Sequence, residues 1–187
     1  MLSLMRCGRL RSDRTLAAGA CSVVLALAFA SPVVASPRNP TIGTGAIVGA
    51  AAPAFLLDRP GGGTLTLDQF HGKPIVVNVF ASWCASCRRE ARVLVDAYRA
   101  YGDRVAFLGV DEQEGEATAL AFAKQLGFQY PIALDAGQFS ATYGTEKIPE
   151  TVFIDRSGII RAIRLGQMSA SDIDSALAMM VSHGGQT

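Results

Sequence analysis

The stretch Pro74-Ile75-Val76-Val77-Asn78-Val79-Phe80-Ala81-Ser82-Trp83-Cys84-Ala85-Ser86-Cys87 sets an apolar run of strand length directly before two cysteines that flank a dipeptide. Ile75 to Phe80 is rich in β-branched residues and apolar on both alternating faces, the pattern of a central strand covered on both sides. Beyond Cys87, residues Ala91, Leu94, Val95 and Tyr98 recur at i, i+3, i+4 and i+7, which predicts a helix with one face laid on a sheet. Both sulfurs therefore fall at a helix N-terminus, where unpaired peptide N–H groups and the positive end of the macrodipole favour thiolate over thiol. The second sulfur is near enough to the first to close a disulfide, so the motif reads as a redox pair.

Upstream, Arg6, Arg9, Arg11 and Arg14 precede an uncharged stretch from Thr15 and small residues around Ser31 to Ser36. This is the pattern of an export signal, residues 1–35, with cleavage after Ala35 or, second, after Ala30. Thr15 to Ala35 is 21 residues without charge, and about 20 suffice to span a bilayer, so an uncleaved membrane anchor stays open beside the cleaved peptide. Cys21 is not read as a lipidation site, because apolar sequence follows it. Residues 36–45, rich in Pro, Gly, Ser and Thr, read as a linker, and residues 46–187 as one domain, large enough for a single core without cross-links.

That division changes the cysteine and charge counts. Cys7 and Cys21 belong to the leader, which leaves Cys84 and Cys87 in the folded part and excludes a structural disulfide framework. Setting aside Arg6, Arg9, Arg11, Arg14 and Asp13 turns 17 basic and 16 acidic residues into 13 and 15, a slightly acidic body. It carries no basic patch of the kind that binds nucleic acid.

Along the domain, Phe55-Leu56-Leu57 and Gly63-Thr64-Leu65 around Arg59-Pro60-Gly61-Gly62 predict a short hairpin, and Leu67 to Phe70 one helical turn. Val105 to Val110 predicts the next strand, and the acids from Asp111 to Glu116 read as the solvated start of a helix that ends at Gly127. Pro131 to Leu134 follows, then a short helix near Gln138 to Tyr143, and a hairpin of Thr151 to Ile154 with Ile159 to Leu165. A last helix starts at Ser169 with Asp172 three residues on and aligns Ile173, Ala176, Leu177, Met180 and Val181. The fold class is α/β, a three-layer sandwich with a mixed central sheet.

This order of elements, with Trp83-Cys84-x-x-Cys87 after the first long strand and Ile148-Pro149-Glu150-Thr151 entering the late hairpin, resembles the thioredoxin fold. More narrowly it resembles the TlpA/ResA-like thioredoxins, through Val48-Gly49, Ala52-Pro53-x-Phe55, Gly72-Lys73-Pro74, Asn78 to Cys84, and the strand-helix unit inserted from Val105 to Leu134. The resemblance covers roughly Val48 to Val181. It implies an exported thiol-disulfide oxidoreductase, and Pro149-Glu150-Thr151 is similar to the subgroup that serves cytochrome c maturation.

What the resemblance implies for single residues follows. Cys84 is the attacking thiol, at an exposed first position, and Cys87 resolves the mixed disulfide. Pro149 is cis beside the dithiol and leaves the backbone of Ile148 free to pair with an extended partner, an expectation that rests on the family match and not on local chemistry. Trp83 shields the site and offers contact area. Plain thioredoxins place an aspartate where Asn78 stands. Glu90, aligned with Leu94, Ala97 and Tyr101 at the edge of the buried face, is the substitute acid-base group, its pKa raised by partial desolvation. A first-turn glutamate that merely complements the helix dipole is the open alternative. The Ala85-Ser86 spacer departs from the common family pattern of a proline before the second cysteine and brings no cation to the thiolate, which favours a reductant over a strong oxidant. Arg88 and Arg89 read as solvated helix surface before they read as steering charges.

The function read from these residues is an exported reductant of client disulfides, apocytochrome c being the favoured client, supplied by a membrane thiol-relay electron donor. It needs no cofactor beyond the Cys84–Cys87 pair. A zinc site would need about four ligands, and His71 and His183 are the only histidines, so no metal is expected. Two other classes remain as alternatives: a thiol peroxidase, for which Ala81 stands where a Thr or Ser is wanted, and a copper-handling module that uses the thiols as ligands.

Overall fold

The structure is a computed structural model and describes residues 45–182. The leader, and the linker up to residue 44, lie outside the described residues. Among those described, no helix is long and apolar enough to cross a membrane.

Seven strands form one mixed sheet, β1 (Leu56–Asp58), β2 (Thr64–Thr66), β3 (Ile75–Phe80), β4 (Ala106–Glu112), β5 (Ile132–Asp135), β6 (Glu150–Ile154) and β7 (Ile160–Leu165), in the spatial order β2-β1-β5-β4-β3-β6-β7. β3 runs parallel to β4 and β4 to β5, whereas β6 pairs antiparallel with both β3 and β7. The helices are α1 (Ala85–Tyr101), α2 (Glu116–Leu126), α3 (Gln138–Tyr143) and α4 (Ala170–Ser182), and a single 3₁₀ turn spans Leu67–Phe70. All six residues of β3 are buried, as its two-sided apolar pattern requires.

Alternation along β3 divides the core. Val77 and Val79 pack with Leu57, Leu108, Val110, Phe139 and Tyr143 toward α3. Val76 packs with Leu94, Phe107, Phe153, Ile173 and Leu177 toward α1 and α4. Phe80 on that same face stacks on Phe122 of α2, ring centroids 5.5 Å apart. Helices thus cover both faces, giving the three layers expected. Ser169 caps α4 as the sequence predicts, its hydroxyl and peptide N–H both donating to Asp172. Gly127 ends α2 in the left-handed conformation, φ 77°, a geometry that side-chain-bearing residues adopt at a cost.

One boundary differs from the sequence reading. β4 continues through Asp111 and Glu112, because register with β3 (Phe80 beside Asp111) and with β5 (Glu112 beside Asp135) extends that far. Of the acids read as a helix start, Glu116 alone enters α2, and Asp111 is fully buried instead of solvated.

Candidate active site

Parallel strands deliver the chain to the carboxyl end of the sheet, and there β3 passes through Ala81-Ser82-Trp83 into α1. Cys84 is the N-cap of α1, with extended backbone, and its sulfur accepts the Cys87 N–H at 3.1 Å. The Ser86 hydroxyl lies 3.3 Å from the same sulfur. Cys84 and Cys87 are joined as a disulfide. In this state Cys84 is 6% exposed, so the exposed position expected of the nucleophile is not what the closed form presents. Trp83 beside it is 69% exposed.

Across from the disulfide, the Ile148–Pro149 peptide is cis. The half-buried Ile148 side chain packs against the cluster that holds Phe80, Ala81, Cys84 and Cys87. Among the described residues, no backbone hydrogen bond uses the Ile148 peptide, while the Pro149 carbonyl accepts from Gly166 N–H at 2.8 Å. Trp83, Ile148, Glu112, Gln113, Glu146 and Lys147 line an open groove beside the sulfurs.

Glu90 follows Cys87 by three residues on the buried face of α1. It is fully buried, not partly so as the sequence reading held, and Met168, in the segment between β7 and α4, bonds to it through its backbone. One carboxylate oxygen accepts the Met168 N–H at 2.9 Å and the other the Asn78 amide at 3.0 Å. Asn78 also donates to the Thr151 hydroxyl at 2.8 Å, so the side chain that replaces the aspartate of plain thioredoxins is the donor that orients Glu90. Desolvation dominates these two bonds and pushes the Glu90 carboxyl up to about 7. Among the described residues, the buried Tyr130 hydroxyl has no hydrogen-bond partner, and its ionisation is disfavoured by burial and then by Glu90.

Other carboxyls surround the same end of the sheet. Burial pushes Asp111 up to about 7, with Glu114 adding to the effect. Burial, opposed by the Thr145 hydroxyl, raises Glu150. Burial and then Asp135 raise Glu112. Of the cations at this end, Arg88 donates to the Ser82 carbonyl and to Gln125, Arg89 to Gln167, and Lys147 lines the groove. Among the described residues, no group of three or more His, Cys, Asp or Glu is arranged to hold a metal ion.

A protein-family model described as the AhpC/TSA family matches residues 48–163. The thiol-disulfide oxidoreductase ResA of Geobacillus thermodenitrificans (strain NG80-2) is 32% identical over 136 residues, 72% of this chain and 78% of that protein. The chain belongs to the ResA-like thiol-disulfide oxidoreductases of the AhpC/TSA family. This oxidoreductase is also similar to thioredoxin-like protein YneN of Bacillus subtilis (strain 168), 29% identical over 132 residues, 69% of this chain and 78% of that one. The crystal structure of a thiol:disulfide interchange protein of the thioredoxin family from Chlorobium tepidum TLS superposes with TM-score 0.66 over 72% of this chain and 98% of that one, at 24% identity, which shows the shared fold.

The sequence reading of a TlpA/ResA-like thioredoxin fold and of a dithiol oxidoreductase therefore holds, and these relatives favour neither the peroxidase nor the copper-handling alternative. The reading missed the contacts that join Asn78, Thr151 and Met168 to Glu90, and it missed Asp111. A carboxylate at the end of an apolar strand was the available signal for Asp111, overridden by the run of acids that follows it.

Proposed function

We propose that this oxidoreductase is exported, by way of residues 1–35, and works as a reductant of disulfides in client proteins, apocytochrome c being the favoured client. Reduced Cys84 attacks a client disulfide as thiolate, forming one intermolecular S–S bond and releasing one client thiolate. Cys87 then gives its proton to Glu90 and attacks the Cys84 sulfur, which closes the Cys84–Cys87 bond and frees the second client thiol. Two electrons pass to the client, and a membrane thiol relay returns the pair to the dithiol; no cofactor beyond this couple takes part. Trp83 and the Ile148–Pro149 segment hold the client strand, the unpaired Ile148 peptide offering it hydrogen bonds.

The observation that carries the reductant reading is the charge around the sulfurs. Among the described residues, the Cys84 sulfur accepts from one peptide N–H and lies beside one hydroxyl, no cation is hydrogen-bonded to it, and the buried carboxyls of Glu90 and Asp111 belong to the elements that meet at this end of the sheet. Strong oxidants owe their potential to a stabilised thiolate, and this setting disfavours one. Trapping tests the reading: Cys87→Ser expressed with its leader should accumulate mixed disulfides through Cys84, outside the cytoplasm, with proteins that bear a Cys-x-x-Cys-His site. Capture of no such protein, or a dithiol potential above about −150 mV, between the values of isomerase and strong oxidant, would overturn it.

A further inference from the structure

Asp111 is fully buried at the end of β4, and among the described residues neither of its carboxyl oxygens has a partner at hydrogen-bond distance, Glu114 being the nearest group to act on it through both side chain and backbone. In the parallel register it stands beside Phe80, the residue from which β3 leaves for the Cys84 loop. An ionised carboxylate in such a place costs several kcal/mol unless it is paired, on the order of the penalty for any buried ion. The charged group that acts on it most is Glu114, three residues on, and that charge makes ionisation costlier still. Glu114 is itself committed to the active-site loop: it accepts the Ser82 N–H at 2.5 Å and the Ser82 hydroxyl at 2.6 Å. Ser82 immediately precedes the exposed Trp83 and the nucleophile.

We propose that protonated Asp111 is a positioning residue: while it is neutral, the Glu114 carboxylate stays bonded to Ser82 and, through Ser82, holds the Trp83-Cys84 segment in place for thiol exchange. With Asp111 protonated, its site holds no charge, and the Glu114 carboxylate keeps its two Ser82 donors. With the proton gone, two carboxylates face each other; Glu114 turns toward water and its two bonds to Ser82 break. The raised proton affinity of Asp111, caused by burial and then by Glu114, puts this change near neutrality.

One further acid acts on Asp111: Glu112 adds a smaller charge effect in the same direction. β3 sets Phe80 beside Asp111 in register, and Phe80 in turn stacks on Phe122 of α2. On α2, Glu116 is bound to the Gly61 N–H. Glu112 turns to the opposite face of β4, where Asp135 of β5 is its charged neighbour. From α1, Arg88 reaches the Ser82 carbonyl, Gln125 and the Phe122 ring, and none of its hydrogen bonds goes to either acid. Among the described residues, neither acid is in an ion pair.

The chain has one tryptophan, Trp83, so its fluorescence reports this segment directly. In the oxidised full chain the active-site sulfurs do not titrate, and emission followed from about pH 5.5 to 8.5 should show a step centred near neutrality, in the region where raised carboxyls titrate. The step should persist in Glu90→Gln and be absent in Asp111→Asn, which is isosteric and keeps the neutral form, and in Glu114→Gln. In the reduced protein, adding Asp111→Asn to Glu90→Gln should also remove the neutral inflection that Glu90→Gln alone retains in the rate of reaction with dithiobis(nitrobenzoate), leaving the inflection of Cys84. A wild type without the step, a step retained in Asp111→Asn, or one abolished by Glu90→Gln would overturn the proposal, the last by assigning the proton to Glu90.

Discussion

Replacing Glu90 by glutamine separates two things the buried carboxyl does: it costs stability when it ionises, and it takes a proton from Cys87. In the folded protein the group ionises at about 7 against 4.5 in the unfolded chain, so between those values the native state holds a proton that the unfolded state has released. Stability is then present in full below about pH 4.5 and falls as pH rises through the native pKa. The separation of the two pKa values corresponds to a loss of about 3 kcal/mol, at 1.36 kcal/mol per unit, complete by about pH 8. Glutamine cannot ionise and escapes this loss. Its amide still accepts the Met168 N–H, and Asn78 can turn its own oxygen toward the new NH₂ group while the Thr151 hydroxyl donates to that oxygen, so the bonds are rearranged and not abandoned. Urea unfolding of the oxidised proteins at matched pH should therefore show Glu90→Gln gaining about 3 kcal/mol on the wild type between about pH 4 and 8. The same variant should slow closure of the Cys84–Cys87 bond in the reduced protein, most above pH 7, where wild-type Glu90 is the free base. Stability curves that run parallel across this range would refute the burial argument, and unchanged exchange kinetics from about pH 5 to 9 would refute the acid-base role.

Three further outcomes follow from other contacts. Ser86→Ala removes a hydroxyl that can donate to the Cys84 thiolate, and with a hydrogen bond to a charged group worth about 1.5–3 kcal/mol it should raise the Cys84 pKa by roughly one to two units in an alkylation-rate titration. Gly109→Ala places a Cβ 2.9 Å from the Phe80 ring, so overpacking should cost about 1–3 kcal/mol in denaturant unfolding, an effect absent if that ring can shift freely. Asp155→Asn should lose stability at neutral pH but not in acid. Although burial opposes it, the N–H groups of Ile159 and Ser157 and the Arg161 guanidinium hold that carboxyl below its ordinary value, and such a contribution is present above the unfolded pKa and disappears as pH falls through the folded one.

The elements were legible in the sequence because each is written in local pattern: the two-sided apolar run of β3, the helical spacing behind Cys87, the Ser169-Asp172 cap, and the stop at Gly127. What escaped was set by pairing across the chain. Asn78 and Glu90 could each be singled out, but their bond depends on how β3 and α1 face one another. The Thr151 hydroxyl that completes the set lies 73 residues from Asn78. Asp111 was misread for a related reason. A strand ends where its neighbours stop supplying hydrogen bonds, and β3 and β5 carry β4 past the point at which side-chain character changes from apolar to acidic.

That extension has a consequence for how the dithiol responds to pH. A free thiol gains thiolate steadily as pH rises through neutrality. Here Glu90 and Asp111, both raised to about 7 by burial, ionise over the same interval and add negative charge at the end of the sheet that carries Cys84. Each new charge disfavours a thiolate nearby. The thiolate fraction of Cys84 should therefore climb with pH less steeply than a single isolated acid, and recover the isolated slope when both carboxyls are made neutral in Glu90→Gln/Asp111→Asn.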